Sequence, residues 1–112
     1  MDKLSFDFDN NKVIISDQYI ELSSLSLINL ILDLKCYYTN IANIKDIRLS
    51  YNSNTGDGLC YQIMQRKFTL HSFNLTNHQS HFINIDKQLA KTIVDQYDQY
   101  CNERENQRDQ YE

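Results

Sequence analysis

The stretch SSLSLINLILDLKCYYTNI, Ser23 to Ile41, constrains the fold more than any other part of the chain. Read as a helix, it spreads Leu27, Leu30, Ile31, Leu34, Tyr38 and Ile41 over about half of the circumference, at roughly 100° per residue. Leu25, Ile28 and Leu32 widen that arc. Ser26, Asn29, Asp33, Cys36 and Asn40 leave only a narrow polar stripe. A helix this apolar has to be covered on more than one side. It is the centre of the core, or it also serves an interface, which would make the protein a homodimer through this helix or the second one. Ser23 or Ser24 can cap its first free N–H groups.

Outside this stretch the period changes to two. Leu4, Phe6 and Phe8 alternate with Ser5, Asp7 and Asp9, the pattern of a strand with one wet face. Asn10-Asn11 tolerates the backbone of a tight turn, Val13 to Ile15 returns as a second strand, and Ser16-Asp17-Gln18 turns into a third, Tyr19 to Leu22. After the helix, Ile47, Leu49 and Tyr51 alternate with Arg48 and Ser50. Leu59 to Arg66 is the next strand. A phase slip at Arg66-Lys67 marks a turn or bulge, and Thr69 to Phe73 continues extended. His81 to Ile85 is a last strand. Asp86 caps a second helix with Leu89, Ile93, Val94, Tyr97, Tyr100 and Cys101 along one face.

At 112 residues the chain has room for one domain and no cleft between domains. The pattern predicts an α+β fold: a small antiparallel sheet in the order β-β-β-α-β-β-β-α with two helices packed on it. The domain is expected over residues 1–105. Residues 106–112 are expected to be a frayed or disordered acidic tail, because the apolar positions stop after Cys101.

Both glycines fall in YNSNTGDGLCY, Tyr51 to Tyr61, beside Asn52, Asn54 and Asp57. A calcium loop needs several carboxylates and a closing bidentate Glu. Here Asp57 is the single carboxylate and the twelfth position from Asn52 is Ile63, so a turn is expected and no metal. His71, His78 and His81 lack zinc-ligand spacing. Cys36, Cys60 and Cys101 are an odd number without close spacing, which argues against a disulfide framework and for a reducing, cytoplasmic setting. None of them lies at a helix N-terminus, where thiolates are favoured, so a minimal Cys/His hydrolase is the least expected function. Nothing in the pattern calls for a cofactor, and no stretch is long and apolar enough to span a membrane.

Charge narrows the partner. Residues 1–40 hold six acids and three bases, residues 41–80 two and four, and residues 81–112 seven and four, giving −3, +2 and −3 within a net −4. Two surfaces follow. Asp7, Asp9, Asp17 and Glu21 cluster in the opening strands, and such an acidic face suits a partner protein with a basic nucleic-acid-binding groove. Arg48, Arg66, Lys67 and His71, with Tyr51, Tyr61 and Phe68, are the alternative: a small nucleic-acid-binding module. The net negative charge and the apolar phase of those three aromatics weigh against it. The expected function is therefore non-enzymatic binding of a partner protein. In size and charge the chain resembles accessory and inhibitor proteins of phages and mobile elements, anti-CRISPR inhibitors among them. That resemblance is one of general character and rests on no motif.

Overall fold

The computed structural model describes residues 3–39, 47–64 and 66–109. Its elements run β1 (Leu4–Asp7), β2 (Lys12–Ile15), β3 (Gln18–Glu21), α1 (Ser24–Thr39), β4 (Arg48–Tyr51), β5 (Asp57–Met64), β6 (Lys67–Asn74), β7 (Ser80–Ile85) and α2 (Lys87–Asp109). The α+β class and the arrangement of strands around two helices are as the periodicity predicts. The strands, however, form two antiparallel sheets rather than one: β1-β2-β3 and β4-β5-β6-β7. The phase slip is a reversal of direction. Met64 pairs with Lys67, Arg66 takes φ 65°, and β6 runs back along β5 as a separate strand.

Register shows which face of each strand is inside. Val13, Ile15 and Ile20 from the small sheet and Leu59, Tyr61, Phe68, Leu70 and Ile85 from the larger one are buried. They meet Leu27, Leu30, Ile31, Leu34 and Tyr37 of α1 and Ala90, Ile93 and Val94 of α2 in one core. The helices therefore cover a single face of each sheet. Gln18 ties the sheets together: its Nε2 donates to Asp57 Oδ1 at 3.1 Å and to the Phe73 carbonyl at 3.0 Å.

Caps sit where the sequence places them. Ser23 Oγ accepts from the Ser26 N–H at 3.1 Å, and Asp86 Oδ1 accepts from the Leu89 N–H at 2.7 Å. Leu25, Ile28 and Leu32 of α1 stay exposed, and Ile41 lies outside the described residues. The backbone of α2 continues past Cys101 to Asp109. Among the described residues no helix is long and apolar enough to cross a membrane.

The loop from Asn52 to Asp57 is a hairpin turn. Asn52 Oδ1 accepts from the Asn54 N–H, the Gly56 N–H donates to the Asn52 carbonyl, and Gly56 takes φ +81°. The Asp57 carboxylate is engaged by Gln18 and by Asn74, whose Nδ2 donates to Oδ1 at 2.7 Å.

Candidate functional site

The larger sheet has a face that neither helix covers. Side chains alternate along a strand, so with Leu59, Tyr61, Phe68 and Leu70 turned inward, Cys60, Gln62, Thr69, His71 and Phe73 turn outward. Leu49 and Tyr51 join them from β4, and Phe82 from β7, where it lies opposite His71. The exposures are high for such side chains: Ile47 61%, Leu49 64%, Tyr51 49% and Phe82 65%. This overturns one expectation from the sequence. Tyr61 and Phe68 pack in the core as expected, but the apolar phase of β4 faces out.

The pairing of β4 with β5 explains the reversal. Arg48 lies opposite Tyr61, which turns it toward α1. There its Nε sits 3.4 Å from Asp33 Oδ2, and the Tyr61 hydroxyl donates to the same oxygen at 2.6 Å. With Arg48 and Ser50 facing the helix, Leu49 and Tyr51 have no choice but the other side.

Aromatic contacts organise the outer face. The His71 and Phe82 rings stack at 4.0 Å with 5° between planes, and Tyr51 and Phe73 lie nearly parallel at 6.3 Å. Phe73 is opposite Gly58, and its ring occupies the space a Cβ would need. Glycine at 58 thus lets an aromatic ring from the neighbouring strand close over the backbone, and any Cβ there would have to displace that ring. Cys60 lies opposite His71, with Sγ 3.6 Å from Nδ1, and His71 Nε2 is 2.8 Å from Ser80 Oγ. Ile47, Cys60, Gln62, Thr69, His71 and Phe82 line a shallow hollow of about 280 Å³ on this face. Burial pushes the Cys60 thiol up and the His71 imidazole down, so both are neutral near pH 7.

The acidic residues do not assemble as expected. The first strand stops at Asp7, and Phe8–Asn10 is a turn of 3-10 helix, so Asp9 is off the strand. Asp7 caps that turn, accepting from the Asn10 N–H and side chain. Asp9 accepts from the Tyr100 hydroxyl at 2.9 Å, which Arg104 also contacts. Asp7 and Glu21 flank Lys12 in the sheet register, and Asp17 is in the turn at the far end of β2. The basic set divides as well. Arg48 faces Asp33, Arg66 occupies the β5–β6 turn, and only Lys67 and His71 share the outer face.

Of the histidines, His71 is outward, His81 lies opposite Ser72 on the inner face, and His78 is in the loop between β6 and β7. Among the described residues no three His, Cys, Asp or Glu side chains converge as a metal site within one chain. The outer sheet face itself left a trace in the sequence: Ile47, Leu49 and Tyr51 on a strand whose alternate positions include an arginine. Nothing local says which of those two faces is buried. No protein-family model, curated protein or solved structure matches this chain.

Proposed function

We propose that this protein is a non-enzymatic binding module that docks a partner protein on the outer face of its four-stranded sheet. One observation carries the reading: Ile47, Leu49, Tyr51 and Phe82 are all about half exposed or more on a single face that neither helix covers. Contiguous apolar surface rimmed by polar side chains marks protein interaction sites. The outward strand positions around it are Gln62, Thr69, Ser80, Asn84 and Lys67, with no carboxylate among them. An aromatic, nearly neutral centre of this kind is what interface cores present.

Nucleic acid fits less well. Stacking rings are present, but Lys67 is the only permanently charged cation at the outward strand positions, and the chain as a whole carries −4. Phosphate binding draws on several cations. The acidic residues keep a supporting role in this proposal: spread around the small sheet, they steer an approaching basic partner rather than contact it. An inhibitor or accessory protein of the phage or mobile-element kind is the setting we propose, supported by small size and acidity alone.

A photo-reactive amino acid at Leu49, with one at Tyr19 on the small sheet as comparator, tests the reading in the native host cell. Leu49 should crosslink one defined protein, and Phe82→Asp should abolish that product. A crosslink at Tyr19 alone, or crosslinked nucleic acid at Leu49, overturns it.

A further inference from the structure

We propose that Cys60 and His71 are half of a tetrahedral site for a soft divalent cation of the zinc class, completed by the same pair from a second copy docked on the outer sheet face. The inference rests on the reading of this face as a docking surface, and it adds a second copy of the chain as the occupant when metal is present.

The spacing is the first ground. Zinc bonds of ~2.3 Å to sulfur and ~2.05 Å to imidazole nitrogen, meeting at the tetrahedral angle, put the two donor atoms ~3.6 Å apart. Cys60 Sγ and His71 Nδ1 are 3.6 Å apart. They are direct cross-strand neighbours in the middle of a sheet, so backbone pairing rather than loop conformation fixes the spacing.

The surroundings are the second ground. A metal-bound histidine donates its other ring N–H to an oxygen, which sets the tautomer and the ring direction. Ser80 Oγ is 2.8 Å from Nε2 and fills that role, leaving the lone pair on Nδ1 for the metal. The Phe82 ring stacked on His71 holds the imidazole plane. On ligation the Sγ–H proton passes to solvent as the sulfur–metal bond forms, and no oxidation is involved.

Among the described residues Cys60 and His71 supply two of four ligands and no third donor converges, so we assign the other two to a second copy. Stacked sheets lie ~10 Å apart, so a cation on a two-fold axis sits ~5 Å from each, within reach of a cysteine and a histidine. Charge favours this face for self-contact. Two copies at −4 each repel, and the outward strand positions of β4–β7 carry no carboxylate to add to that repulsion. Leu49 and Phe82, exposed beside the pair, are the apolar surface such a dimer would bury.

The test uses the full reduced chain titrated with Co²⁺, then Zn²⁺, with mass followed by light scattering. Thiolate-to-cobalt charge transfer and tetrahedral visible bands should saturate at half an equivalent per chain. The 13.3 kDa mass should double on the same titration and return with chelator. Cys60→Ser and His71→Gln should each remove the bands and the mass change, while Cys36→Ser keeps both. Ser80→Ala should weaken metal affinity about 10–100-fold. Circular dichroism on each variant separates loss of the site from loss of the fold. Absence of a thiolate band, a band that survives Cys60→Ser, or one metal per chain with the mass unchanged overturns the inference. Each of these results leaves the Leu49 crosslinking result untouched, so this proposal and the docking-face reading fail separately.

Discussion

The hydroxyl of Tyr61 on β5 donates a 2.6 Å hydrogen bond to Oδ2 of Asp33 on α1. That oxygen is also 3.4 Å from Arg48 Nε, so one carboxylate of a largely covered Asp33 joins the helix to two strands. Together with the β4–β5 register, the Arg48 contact keeps the arginine of β4 inward and its apolar residues out. The hydrogen bond also makes Tyr61→Phe informative, because the ring would keep its stacking on Phe68 at 5.2 Å. Removing the hydroxyl should cost about 1.5–3 kcal/mol, the range for a hydrogen bond to a charged group, read from urea unfolding.

The same tyrosine gives a pH dependence. Burial first, then the hydrogen bond and negative charge of Asp33, hold its ionisation well above the ordinary value near 10, with Arg48 opposing. The folded state keeps the phenolic proton after the unfolded chain has lost it, so stability from this group is full below about pH 10 and falls as pH rises beyond it. Wild type should lose stability between about pH 10 and 11 faster than Tyr61→Phe does, with chelator present in both melts.

Gly58→Ala should destabilise the protein by about 1–3 kcal/mol, the cost of overpacking, because the new methyl occupies the position of the Phe73 ring. Gly58→Ala with Phe73→Ala should recover part of the loss. A melt unchanged by Gly58→Ala alone would show that the Phe73 ring swings clear of the added methyl at little cost.

Leu34 is fully buried at the centre of α1. Leu34→Ala should cost about 2–5 kcal/mol. Leu32→Ala, one turn face away and 53% exposed, should change the melt little in the monomer. A large effect of Leu32→Ala that grows with protein concentration would instead reveal an interface through α1.

Ser72 is fully buried opposite Leu59, and its Oγ has no hydrogen-bond partner among the described residues. A buried hydroxyl without a partner is destabilising. Ser72→Ala should therefore leave the melting temperature unchanged or raise it, and a clear drop would show that the hydroxyl is satisfied.

Asp7 and Asp9 are structural before they are anything else. Asp7→Ala removes the cap of the 3-10 turn and should cost about 0.5–2 kcal/mol. Asp9→Ala releases Tyr100 and should do less, since that contact is exposed. Equal, negligible effects of both on the melt would return them to the role of free surface charges.

The sequence by itself determined the local elements: α1 from its 3.6-residue pattern and its Ser23 cap, α2 from Asp86, and the hairpin at Gly56. Each depends on residues within a few positions of one another, and short-range sterics and hydrogen bonding decide them. Alternation in β4 was equally legible, as one apolar face and one with Arg48. Which face is buried was not. Periodicity establishes that a strand has two unlike sides, but register with β5 and the distant Asp33 selects the inward one. The division of the seven described strands into two sheets, bridged by Gln18 at Asp57 and Phe73, belongs to the same class. So does the meeting of Cys60 with His71, eleven residues on, because only the paired strands bring a thiol and an imidazole to 3.6 Å. Contacts of this kind depend on how the chain closes on itself, and no local pattern encodes that closure.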